Sequence, residues 1–183
     1  SVCAGVYCVN GEDFGTATGR FNHLTVRLDF IDASGSGFPT RDWRLEANGF
    51  NDGEGDHFAI KDMGDTSNSA EGGTAILKLM ADAPENSVFV DASGRLGLGT
   101  STPGSLLHLK NGDGPTIRLE QDGSGGFPPQ TWLLYSNEHQ FQIHGANTPF
   151  SIQTGAPDDA LVLAGGGRNG MGVIFPTAPL DIR

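Results

Sequence analysis

The residues of this chain that could do chemistry are five histidines, two cysteines, one acidic loop and several glycine-rich turns. His23, His57, His108, His139 and His144 form neither His-x-His nor His-x-x-x-His, the spacings that put two imidazoles on one face of a strand or helix. His139 and His144 stand five apart across an expected strand, which suits no common metal site, so solvated or hydrogen-bonded histidines are the plainer reading. Gly94-Arg95-Leu96-Gly97-Leu98-Gly99 has Gly-x-Gly spacing. A dinucleotide loop must open a helix, however, and Pro103 followed by the alternating Leu107-His108-Leu109 predicts a strand. No Gly-x-Ser-x-Gly elbow is present, and Gly35-Ser36-Gly37 and Gly123-Ser124-Gly125 have turn composition. A glycosidase remains an alternative at this level, because its two carboxylates meet only in space. The expectation is a non-enzymatic chain with no catalytic residue and no metal.

Calcium is the one cofactor with a motif behind it. Asn51-Asp52-Gly53-Glu54-Gly55-Asp56 is acidic and glycine-rich, but it lacks the closing Glu of an EF-hand loop and reads equally as a solvated insertion. Trp43 and Trp132 are either sugar-stacking platforms or core anchors, and Phe50 in an insertion loop is an aromatic that a carbohydrate-binding module could use. Their matching places in the chain favour a core role.

Cys3 and Cys8 are the only cysteines. Their spacing permits a disulfide across a small loop, which would point to an oxidising compartment; two free thiols in a cytosolic protein are the alternative. Zinc would need further ligands nearby, and none is there. The formal charge of −11 repels a phosphate backbone, so nucleic acid is not an expected partner. No run approaches the roughly 18 apolar residues of a membrane helix, and membrane insertion is not expected. Twenty-eight glycines and ten prolines in 183 residues predict many short elements and tight turns rather than long helices.

The elements that must position these residues come as a repeat. At an offset of 73 residues, Val88-Phe89-Val90 falls on Leu161-Val162-Leu163, Gly94-Arg95 on Gly167-Arg168, and Gly97 and Gly99 on Gly170 and Gly172. Pro103 falls on Pro176, and Leu107-His108-Leu109-Lys110 on Leu180-Asp181-Ile182-Arg183. Earlier in the chain, Phe58-Ala59-Ile60 matches Phe141-Gln142-Ile143 at 83, Trp43 matches Trp132 at 89, and Phe38-Pro39 matches Phe127-Pro128 at 89. Thr25-Val26-Arg27-Leu28-Asp29 matches Thr116-Ile117-Arg118-Leu119-Glu120 at 91. The stepped offsets predict insertions in the first copy within 30–37, 46–57 and 61–76, which read as surface loops. This gives an N-terminal extension over 1–23, repeat 1 over 24–110 and repeat 2 over 115–183.

Apolar–polar alternation at Val26-Arg27-Leu28-Asp29-Phe30, Phe58-Ala59-Ile60 and their counterparts predicts half-buried strands, with Trp43, Trp132, Phe58 and Phe141 in the repeat core. The segment 75–81 has helix formers, but its counterpart Phe150-Ser151-Ile152-Gln153-Thr154 has strand character, so both are assigned as strands. About six short strands per copy follow, with turns at 91–94, 111–114 and 123–126. The fold class is all-β: two tandem short-stranded repeats, too small to bury large cores alone and therefore expected to stack or assemble into an elongated rod.

The segment Gly94-Arg95-Leu96-Gly97-Leu98-Gly99-Thr100-Ser101-Thr102-Pro103, followed by Leu107-His108-Leu109, resembles a recurrent motif of tail-fibre-like proteins in phages and secreted bacterial proteins. The Phe-Pro-x-x-x-Trp steps and the opening Cys3 to Cys8 with Val9-Asn10-Gly11-Glu12 look similar to the secreted bacterial members. The resemblance covers nearly the whole chain and implies a homotrimeric structural or receptor-binding fibre segment, extracellular or on a virion surface, with a surface glycan or host receptor as outside partner. A carbohydrate-binding module on a secreted protein is the alternative. Many members carry a C-terminal self-cleaving chaperone; none follows Arg183, and Ser1 is not a methionine, so the chain reads as a cut or processed product. The second copy departs from the motif, because Val173-Ile174-Phe175 stands where Thr100-Ser101-Thr102 does and makes that turn more apolar. In the motif, the glycines Gly94, Gly97, Gly99, Gly167, Gly170 and Gly172 serve the backbone, while Thr100 bonds nearby backbone before Pro103 or Pro176 breaks the ladder.

Overall fold

A computed structural model describes residues 2–5, 7–9, 11, 13–35, 37–49, 54–65, 72–147 and 150–182. Asn10, Glu12, Ser36, Phe50, Asn51, Asp52, Gly53 and Arg183, which figure in the sequence reading, lie outside the described residues. Among those described there is no helix, and the chain is all-β. It divides into two compact units, Ser1–Pro84 and Glu85–Arg183.

In the first unit, β1 (Val2–Ala4) pairs in parallel with β2 (Gly19–Phe21). A four-stranded antiparallel meander follows: β3 (Val26–Phe30), β4 (Asp42–Ala47), β5 (His57–Gly64) and β6 (Thr74–Met80). The segment whose residues favour a helix is thus strand β6, because its apolar residues pair with β5 at Phe58↔Leu79 and Ile60↔Leu77.

The second unit opens with a mixed sheet of β7 (Phe89–Val90), β8 (Leu96–Leu98) and β9 (Leu107–Leu109), in which β7–β8 is antiparallel and β8–β9 parallel. The same two-sheet series then recurs. The strands β10 (Thr116–Gln121), β11 (Gln130–Ser136), β12 (Gln140–His144) and β13 (Phe150–Gln153) form an antiparallel meander. The strands β14 (Val162–Ala164), β15 (Arg168–Met171) and β16 (Leu180–Ile182) form a second mixed sheet. Among the described residues each copy therefore has seven strands rather than about six, and the N-terminal extension contributes two more.

The ladders fix the equivalence of the copies. Leu45 pairs with Leu28 and Ile60, and Leu134 pairs with Ile117 and Ile143. Phe30 lies opposite Trp43, and Leu119 opposite Trp132. The first strand of each copy is thus related by 89 residues, like Trp43 and Trp132, and not by 91. The expected insertion within 30–37 disappears with this correction. A two-residue slip leaves every side chain on the same sheet face, so alternation alone does not reveal it. The other two insertions remain as the β4–β5 and β5–β6 connections, and a bulge at Ile60/Lys61 accompanies the second.

Candidate functional site

Two surfaces and one turn motif collect the residues singled out above. On the β3–β6 sheet, alternation sends Trp43, Leu45, Phe58, Ile60, Leu28, Phe30, Leu77 and Leu79 to one face. The equivalent eight on β10–β13 are Trp132, Leu134, Phe141, Ile143, Ile117, Leu119, Phe150 and Ile152. These faces are only partly covered. Trp43 is 42% and Trp132 45% exposed, and Phe58 and Phe141 are exposed to a similar degree. The assignment of Trp43, Trp132, Phe58 and Phe141 to a buried core is therefore corrected. They occupy equivalent positions with half-exposed rings, and on the β10–β13 sheet Leu109 and Pro115 border only the end of the face at Ile117, Leu134 and Phe141.

The opposite face of the β3–β6 sheet is where burial occurs, and it is charged. Glu46 and Arg44 are nearly inaccessible, as are Asp42 and His57. The Glu46 carboxylate accepts from Arg27 Nε and from Lys61 Nζ, each at 3.2 Å, with Arg44 Nη1 at 4.0 Å and His57 Nε2 at 3.8 Å. Arg44 reaches Asp29 with two hydrogen bonds, Nε to Oδ1 and Nη2 to Oδ2. Hydrogen bonding from Arg44, followed by the charges of Arg44 and Arg27, holds the Asp29 carboxyl below its ordinary range against an opposing push from burial. Asp42 accepts from the Asp32 amide at 2.8 Å, and the His57 ring bonds the Gly55 carbonyl at 2.8 Å through Nδ1. Buried charge of this kind must be paired, and here Glu46 is paired from three strands. Among its described residues the second sheet has no such network: its Arg118 is 57% exposed and bonds Glu120 on its own strand.

The glycine motif works through backbone contact. A Cβ on Gly97 would stand 2.2 Å from the Thr100 carbonyl oxygen, one on Gly99 2.3 Å from that of Lys110, and one on Gly170 2.3 Å from that of Val173. Thr100 and Val173 are buried at the same position, as are Pro103 and Pro176. The loop hydrogen bonds repeat as well. Gly99 N donates to Asn86 O at 2.9 Å and Gly172 N to Asp159 O at 3.1 Å, and Asn86 and Asp159 share a left-handed φ of 60° and 58°. Leu96 N donates to Leu106 O, and Asn169 N to Pro179 O. Thr100 Oγ1 accepts from the Thr102 amide at 3.2 Å. The more apolar second turn keeps Val173 inside but exposes Ile174 and Phe175, the latter by 79%. Gly94 and Gly167 lie in the hairpin turns before β8 and β15, both with left-handed φ. In the first of these turns Asp91 Oδ1 accepts from the Ser93 and Arg95 amides.

At the N-terminus, Cys3 and Cys8 form a disulfide with Cα atoms 5.9 Å apart. Among the described residues no three His, Cys, Asp or Glu side chains gather as a metal site would require. The sequence reading missed the buried charge network. Its signal was present in the alternation itself: Asp42, Arg44 and Glu46 interleave with Trp43, Leu45 and Ala47, so one face of β4 had to be charged. No family model, no curated protein and no solved structure matches the chain.

Proposed function

We propose that the chain is a non-enzymatic segment of an extracellular or virion-surface fibre, structural or receptor-binding, that assembles as an elongated homotrimer. The observation that carries this reading is the doubled build. A four-stranded meander followed by a three-stranded mixed sheet occurs twice, with the glycine motif closing both small sheets by the same backbone contacts. Units of this size bury little by themselves; among the described residues the buried hydrophobic side chains are Ala59, Met63 and Val173. Such units gain stability by stacking or by assembly with other chains. Sedimentation equilibrium tests the proposal, with three chain masses in one particle as the expected result and one chain mass at all concentrations as the refuting one.

A second reading, a carbohydrate-binding module, is favoured by the half-exposed rings of Trp43 and Trp132, since sugars stack on accessible aromatic faces. A glycan array separates the two: specific retention by a monomeric chain supports the module.

A further inference from the structure

We infer that the apolar face of each four-stranded sheet is the surface on which a second copy of this chain packs; this deepens the fibre reading and rests on it. The normal arrangement of a half-buried sheet is reversed in the first unit, where the charged face is inside and the face of Trp43 and Phe58 is outside. Large apolar side chains scattered singly on a surface need no explanation, but eight on one face of one sheet form a contiguous patch that monomers rarely show. The second sheet repeats that patch position for position, so the chain carries the same surface twice.

Area points to a second copy, and the charge distribution selects these faces for it. With about 200 Å² for a large side chain and somewhat under half of it exposed, each face offers roughly 600 Å², and two faces about 1,200 Å² per chain. A stable interface needs about 800 Å² per partner. The chain has a formal charge of −11, so copies repel one another, and contact is least opposed where no charge is desolvated. The faces meet that condition. Among the described strand residues only Asp62 intrudes beside Trp43, paired with Arg41 at 3.4 Å, and the β10–β13 face ends on the neutral Gln121 and Gln130. Flat sheet faces with matching apolar residues pack on one another about 10 Å apart, so a surface built to meet one of the two also meets the other.

The test is sedimentation velocity on the full chain from micromolar to nanomolar concentration, with far-UV circular dichroism to check folding. The double variant Trp43→Lys/Trp132→Lys should weaken assembly by at least about a hundredfold, whereas Gln142→Lys, on the opposite face of β12, should leave it unchanged. Should the double variant fail to fold, Leu28→Lys/Ile117→Lys on edge strands β3 and β10 replaces it. Hydroxyl-radical footprinting of the wild type gives a variant-free measurement, with Trp43 and Trp132 protected in the assembled fraction only. An assembled chain whose face variants stay assembled, or whose tryptophans stay reactive, overturns the inference and leaves the fibre reading standing. A chain that is monomeric throughout overturns both. Protection of the rings by an added oligosaccharide in a monomeric chain overturns both in favour of the carbohydrate module.

Discussion

Arg44 and Asp29 face each other across the β3–β4 ladder and are joined by two hydrogen bonds, with Arg44 only 4% exposed. The pair borders a buried carboxylate, Glu46, on which Arg27 and Lys61 also converge. Removing that carboxylate would leave several cations buried without their counter-charge. Glu46→Ala should therefore destabilise the first unit by about 3–5 kcal/mol, as for other broken buried pairs. Arg118→Ala in the second unit, where the pair is open to solvent, should cost within about 1 kcal/mol. Urea unfolding of the two variants, followed by circular dichroism, makes the comparison.

Acid should weaken the fold through the same pairing. Asp29 has its carboxyl held low chiefly by hydrogen bonding from Arg44, and Asp91 chiefly by the Arg95 amide, with the Arg95 side chain and the Ser93 amide assisting. A carboxyl depressed in the folded state contributes stability above its unfolded value, about 3.9 for Asp, and loses it as pH falls through the folded value. The melting temperature should be flat with pH above about 5 and should drop below about 4. Asp29→Asn/Asp91→Asn should lower the plateau and flatten the drop; an unchanged acid limb in that variant would show that other groups govern it.

Three glycines of one motif should respond differently from a fourth. Gly97 and Gly99 meet carbonyl oxygens of Thr100 and Lys110 where a Cβ would go, and Gly99 also has a φ of +80°. Gly170 meets that of Val173 in the same way, while Gly104 has open space around it. Alanine at 97, 99 or 170 should cost on the order of 1–3 kcal/mol, and alanine at 104 within about 0.5 kcal/mol. Thermal unfolding of the four single variants reads this directly.

Much of this build was legible in the sequence, for identifiable reasons. The 73-residue offset survives because strand partners and the contact-making glycines tolerate little change, and the matched left-handed Asn86 and Asp159 show that even loop backbone was kept. Strand direction was not legible. Leu107-His108-Leu109 alternates whether its neighbour runs parallel or antiparallel, and β8–β9 is parallel. The two-residue misalignment of β3 with β10 was invisible because a slip of two preserves the face of every side chain. The burial of Trp43 and Trp132 was misjudged for a different reason. A repeated apolar position shows that the two copies share a place in the sheet, and does not by itself show that the chain buries it.

Cys3–Cys8 should contribute locally. Closing a loop this short limits the unfolded chain by roughly 2 kcal/mol in the entropic account. The bond tethers the segment after β1, which is otherwise held by two hydrogen bonds between Tyr7 and Asn22, next to the three-residue parallel ladder of β1 and β2. Intact mass should increase by two hydrogens on reduction. Amide exchange should then quicken in the β1–β2 pair while β10–β13 is unaffected. A uniform increase across the chain would mean that the bond supports the whole first unit and more.

The two tryptophans should give equal and concentration-dependent effects. Each stands opposite an apolar residue on a neighbouring strand, Phe30 for Trp43 and Leu119 for Trp132, and each is a little over half covered by its own chain. Full burial would make Trp→Ala worth about 3–5 kcal/mol, so the covered portion alone corresponds to about 2 kcal/mol in a dispersed chain. Assembly adds the rest if a second copy covers the ring, because anything bound only by the folded state raises its apparent stability with concentration. Urea titrations of Trp43→Ala, Trp132→Ala and wild type at two protein concentrations a hundredfold apart should show a gap that widens at the higher one. A gap of about 2 kcal/mol at both concentrations would mean that the rings stay open to solvent or to a small ligand, and the sheet faces would then have to be read as binding platforms.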